Sequence, residues 1–173
     1  MQKVALSSLF ILVSIIAASS MQGSPQFEGR WVIDKELSSA FDPWRSIHLE
    51  IEVEAGKVLI EELHTTGRRR ATQRYELDLD KPRNKVPIDL WTGNRHIGAY
   101  IGGNRTMEID AEFLDEGRTL VLYCNYILDT SQGATNVRSH KEFRVSSDGD
   151  QLVVMELRST RPRPILQVFN KER

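Results

Sequence analysis

Apolar and polar residues alternate along much of this chain. In Ile47-His48-Leu49-Glu50-Ile51-Glu52-Val53-Glu54, the residues Ile47, Leu49, Ile51 and Val53 share one face of an extended segment, and His48, Glu50, Glu52 and Glu54 share the other. Met107-Glu108-Ile109-Asp110-Ala111-Glu112-Phe113 repeats the pattern. Val137 to Val145 does so more loosely, with Arg138, His140, Glu142 and Arg144 set against Val137, Phe143 and Val145. A period of two with one dry and one wet face predicts half-buried antiparallel strands. Turn residues cut the chain at short intervals: Ala55-Gly56-Lys57, Asp80-Lys81-Pro82, Thr92-Gly93-Asn94, Gly102-Gly103-Asn104, Asp115-Glu116-Gly117, Gln132-Gly133 and Ser147-Asp148-Gly149. No stretch beyond the first twenty residues carries a sustained helical stripe, and the one helical turn expected lies around Asp34 to Ala40.

Strands of about 6 to 12 residues joined by short turns leave no room for crossover helices and favour a sequential, up-and-down sheet. The expected fold is all-β, an antiparallel up-and-down barrel of about 8 to 10 strands with little helix, favoured over a two-sheet sandwich because closure removes exposed edges. A barrel of about eight strands has an interior either filled by side chains or holding one small ligand.

The first residues break this pattern. Met1-Gln2-Lys3 leads into an apolar run from Val4 to Ala17, and Ala18-Ser19-Ser20 supplies small residues for cleavage, so 1–20 reads as a signal peptide and 21–173 as a single domain. The apolar run, about 14 residues, is short of the roughly 20 that span a bilayer. With Cys124 the one cysteine and far from the cut, no lipid-bearing cysteine is available there. The expectation is an exported protein, periplasmic or extracellular, with no permanent membrane anchor. The chain has net formal charge −1, which argues against a nucleic-acid partner. Cys124, inside Leu120-Val121-Leu122-Tyr123-Cys124-Asn125-Tyr126, reads as an inert core thiol.

Two terminal motifs carry a resemblance. Phe27-Glu28-Gly29-Arg30-Trp31-Val32-Ile33-Asp34-Lys35-Glu36-Leu37-Ser38 resembles the F-x-G-x-W-x-L-x-x-x-x-S opening of exported bacterial lipocalin-like proteins. Asp148-Gly149-Asp150-Gln151-Leu152-Val153-Val154-Met155-Glu156-Leu157-Arg158-Ser159-Thr160 is similar to that group's penultimate hairpin, and Val168-Phe169-Asn170-Lys171 to its closing strand. The resemblance implies a calycin-type barrel, in a group whose functions are mostly not established. It also implies that Gly29 and Trp31 close the barrel, with an arginine from a late strand stacked on the tryptophan: Arg158 first, Arg161 second. The T-D-Y motif of typical lipocalins has no clear counterpart mid-chain.

For ligand contacts, Tyr75, Trp91, Tyr100, Phe113, Tyr123, Tyr126 and Phe143 are the aromatic residues that could line an interior, although aromatic residues on strands more often fill a core. Trp91 and Tyr100 lead, with Tyr75 and His96 beside them, because Ile88 to His96 is the least regular part of the chain. No metal site is expected: His48, His64, His96 and His140 are isolated, and the pairs His48/Glu50 and Glu62/His64 read as solvent-facing. Glu108, Asp110 and Glu112 share one strand face, which does not suit a glycosidase pair flanking a bond, and no nucleophile elbow or phosphate loop occurs. No catalytic residue and no cofactor is assigned. Gly67-Arg68-Arg69-Arg70 is the densest charge feature. Arg68, Arg69 and Arg70 could meet an anionic surface or an acidic protein, against the plainer reading of a solvated hairpin.

Three functions stay open on the sequence. The leading one is an exported non-catalytic binder of a small apolar or amphipathic molecule held in the barrel. The second is an envelope structural or protein-interaction module with a solid barrel, and the third a small enzyme with its site inside.

Overall fold

The structure is a computed structural model that describes residues 25–39, 44–89 and 100–173. Among the described residues eleven strands form: β1 (Gly29–Asp34), β2 (Ser46–Glu54), β3 (Lys57–Thr66), β4 (Arg69–Asp78), β5 (Asn84–Pro87), β6 (Tyr100–Ile101), β7 (Thr106–Leu114), β8 (Thr119–Thr130), β9 (Gly133–Val145), β10 (Gln151–Arg158) and β11 (Ile165–Lys171). All pair antiparallel in one sheet of order β4-β3-β2-β1-β11-β10-β9-β8-β7-β5, while short β6 pairs with β8. This is a ten-strand up-and-down, nearly closed barrel, as the alternation and turn spacing predict.

Where β4 faces β5 the backbone ladder is missing, and two buried amides bridge the seam. Gln73 Nε2 donates to Pro87 O at 2.8 Å, and its Oε1 accepts from Asp89 N at 2.9 Å. Asn84 Oδ1 accepts from Asp78 N at 2.9 Å and its Nδ2 donates to Asp78 O at 3.1 Å. Each amide supplies one donor and one acceptor, so it substitutes for a rung of the ladder.

The helical turn expected around Asp34 does not form among the described residues. Asp34 Oδ1 instead accepts from the backbone N–H of Glu36 and Leu37, a side-chain-capped turn. Ser38 and Ser39 then continue along β11: Ser38 Oγ accepts from Val168 N at 3.0 Å, and Ser39 exchanges bonds with Leu166. The serine closing the amino-terminal motif is thus a stitch between the segment after β1 and the last strand.

One end of the barrel, here the base, is sealed. Phe27 and Trp31 are fully buried there, Trp31 Nε1 donates to Phe27 O at 3.1 Å, and Phe27 meets Phe113 edge-on at 5.4 Å between ring centroids. The cation over Trp31 is Lys171, its Nζ 4.9 Å from the ring centroid and donating to Gln26 O at 2.9 Å. Gly29 adopts φ +123°, a conformation that L side chains rarely take, and a Cβ there would also crowd Lys171 Cε at 3.1 Å. The expected stacking of Arg158 on Trp31 is therefore corrected. Arg158 lies seven residues along β10 from Gln151, which pairs beside Lys171, and so stands about 23 Å up the strand. Arg161 lies beyond the end of that strand, farther still from the base.

Candidate functional site

Above the base the interior changes character. Parity from Val58 and Ile60 puts Glu62 and His64 on the inner face of β3, and parity from Leu77 does the same for Tyr75 and Gln73 on β4. On β9 and β10 the inner face carries Ser139 and Lys141 below Val137, then Glu156 and Arg158 above Val154. The expectation that Glu62 and His64 face solvent is corrected: the His64 side chain is 5% exposed and that of Glu62 14%. His48 does face outward, bonded to Ser46.

These groups meet across the lumen. β3 and β9 lie half-way round the sheet from one another, yet Lys141 Nζ reaches Glu62 Oε1 at 3.2 Å and the Tyr75 hydroxyl at 3.2 Å. The same ammonium lies 5.2 Å from the Tyr75 ring centroid and 5.9 Å from that of Phe143. Beside it, Arg158 grips Glu156 through two N–H groups, and Ser139 Oγ donates to Glu156 Oε1 at 2.7 Å. The result is a polar floor spanning the barrel between the sealed base and the far end.

Electrostatics keep this floor ionised. Burial pushes the Glu62 carboxyl up, but the Lys141 ammonium and the His64 N–H outweigh it and hold the group at about 2. Glu156 is lowered for the same reason, its burial outweighed by Lys141 and Arg158. Burial alone would discharge Lys141, yet Glu62, Tyr75 and Glu156 hold it protonated well above the usual lysine range. Arg158 is likewise raised against its burial by Glu156. Burial raises Tyr75, and the Glu62 carboxylate adds to that. Tyr126 and Cys124 are pushed up to about 12 by burial, so the thiol stays protonated, an inert core group.

Two polar atoms beside the floor have no hydrogen-bond partner. His64 Nε2 is 3.4 Å from Glu62 Oε2, while its Nδ1 is buried and unpaired, as is Nε1 of Trp44, whose ring meets His64 edge-on at 5.3 Å. Each such orphan costs about 1–3 kcal/mol, so the pair asks for an explanation. On the strands across the sheet order from β3, the buried inner positions of β7, β8 and β9 include Met107, Leu128 and Val137.

Of the residues expected to touch ligand, Tyr75 belongs to the floor. Tyr100 is described by its backbone alone, which pairs with Asp129, and Trp91 and His96 lie outside the described residues. Phe113, Tyr126 and Phe143 point inward, whereas Tyr123 is 46% exposed on the outer face against His140. Arg68, Arg69 and Arg70 are exposed at the β3–β4 turn of the far end and make no ion pair among the described residues. Sequence reasoning missed Glu62, His64, Lys141, Ser139 and Glu156 as interior groups, although their parity with neighbouring apolar residues was the available signal. Outside, a cleft of about 470 Å³ over the β4–β5 seam is lined by charges of both signs, among them Glu52, Lys57, Arg74 and Lys81. No group of three or more metal-ligating side chains occurs among the described residues, and among them no helix is long and apolar enough to cross a membrane.

No family model matches this chain, and a search of curated proteins found no matching sequence.

Proposed function

We propose that the protein is an exported, non-catalytic binding protein that holds one small amphipathic molecule at the far end of its barrel, above the polar floor. The observation that carries this reading is the floor itself. A barrel serving only as a solid module gains nothing from ion pairs in its lumen, because well-packed apolar residues of similar volume are as stabilising or more so. A carrier does gain, since a few fixed polar groups in an apolar enclosure orient a ligand. Catalysis is disfavoured because Glu62, Lys141, Tyr75 and Cys124 are all held far from the neutral range in which a side chain trades protons readily.

The signal-like composition of residues 1–20 supports export. Arg68, Arg69 and Arg70, exposed at the rim with no ion pair among the described residues, suit an anionic surface that would present or receive the ligand. Removal of residues 1–20 from the secreted form is checked by intact mass. Binding is checked by titrating the purified protein with the uncharged fluorophore N-phenyl-1-naphthylamine. Saturation at one probe per chain, reversed by 1-decanol, is the expected outcome. Fluorescence that rises without saturating, or not at all, contradicts a lumenal site.

A further inference from the structure

The unpaired atoms at His64 and Trp44 specify more than an apolar ligand. Because Glu62 is a carboxylate and can only accept, His64 Nε2 must be its donor, which in the uncharged ring leaves Nδ1 as a bare acceptor. Trp44 Nε1 carries the opposite role: it is a donor and nothing else. The two rings are in edge contact at 5.3 Å between centroids, so one unpaired acceptor and one unpaired donor, both buried, belong to neighbouring rings. The floor below them is charge-balanced, with the carboxylates of Glu62 and Glu156 matched by Lys141 and Arg158. It offers no surplus charge to an ion entering from above, and an ionised group brought there would lose its hydration without compensation.

Resting on the carrier reading, we infer that the ligand's polar end is an uncharged group that both donates and accepts a hydrogen bond, a hydroxyl or a primary amide, seated between His64 Nδ1 and Trp44 Nε1. Its apolar body lies toward Met107, Leu128 and Val137 on the other side of the lumen. A fatty alcohol or fatty amide has this chemistry; a carboxylate, an ammonium or a bare hydrocarbon does not.

The test is a series of ten-carbon compounds differing only at the end group, each titrated below its micellar concentration against the intact protein by calorimetry: 1-decanol, decanamide, decyl methyl ether, decanoate, decylammonium and decane. The alcohol and the amide are expected to bind tightest. The ether, which satisfies Trp44 alone, should fall about fivefold to tenfold behind them, the ions at least tenfold. Trp44→Phe keeps the ring and removes the donor, so the alcohol should weaken about fivefold to tenfold while decane is unchanged. His64→Leu should cost the alcohol a similar factor, and His64→Asn, which can return an oxygen acceptor, should recover part of it. Decanoate or decylammonium binding tightest, or equal affinity across all end groups, overturns the inference and leaves the carrier reading standing. Failure of every compound to bind the native protein overturns both.

Discussion

The two halves of the barrel are built from the same strands but by opposite rules. At the base, β1, β7 and β11 supply Trp31, Phe113 and Phe169 to a largely apolar interior, and Lys171 lies over an indole with its Nζ bonded to a backbone carbonyl. Half a strand higher, β3, β9 and β10 place two carboxylates, an ammonium and a guanidinium in the same lumen. Apolar contacts gain free energy with every buried methylene. Buried ion pairs, at best, offset their own desolvation. The base is therefore the net source of stability, and the floor at best offsets the cost of its own burial.

Breaking each half separately sharpens that contrast. Lys141→Met leaves the Glu62 carboxylate buried without its ammonium and should cost about 3–5 kcal/mol in urea unfolding at pH 7. Trp31→Ala, which empties the base, should cost a similar amount, about 3–5 kcal/mol. The two differ in their response to acid. The Lys141→Met defect shrinks between pH 7 and pH 4, because protonating Glu62 removes the stranded charge, whereas the Trp31→Ala defect keeps its size. Equal pH responses would mean that Lys141 acts by packing alone.

A smaller effect comes from the acid limb of the wild-type protein. Glu62 is held at about 2, below the ordinary glutamate value of 4.5. A depressed folded-state value contributes stability that is complete above 4.5 and is lost as pH falls through the interval toward 2. The loss is about 3 kcal/mol. Glu62→Gln should remove that part of the acid sensitivity, and an unaltered acid limb in the variant would show the carboxylate is not paired as described. The smallest effect belongs to the base: Lys171→Met should cost about 0.5–2 kcal/mol, independent of pH from 4 to 8, as a lost cation–π contact does.

The base was more legible in the sequence than the floor, for physical reasons. A period-two pattern with uniformly apolar inner positions, as in Ile47 to Val53, declares its own face. The Gly29 and Trp31 closure could be read from residue size and from the resemblance, but the cation could not. Any late-strand arginine or lysine satisfies the chemistry, and only the register Trp31 opposite Lys171 chooses between them. In β3 the inner face runs Val58, Ile60, Glu62, His64, so the pattern turns polar midway and imitates a solvent face. Ser139 and Lys141 hide in the same way between Val137 and Phe143. The meeting of Glu62 with Lys141 joins strands on opposite sides of a nearly closed barrel, a contact that local periodicity cannot encode. The orphan nitrogen of His64 is later still, since it follows from which nitrogen Glu62 occupies.

The claim that the far half works and the base supports it is tested most directly by mapping backbone amide NMR shifts on the uniformly labelled protein during titration with 1-decanol. The account predicts saturable shifts at Glu62, His64, Tyr75, Tyr126, Ser139 and Lys141, with Trp31, Phe113, Phe169 and Lys171 still. Shifts spread evenly over both halves, or confined to the outer face around Tyr123 and His140, would contradict it.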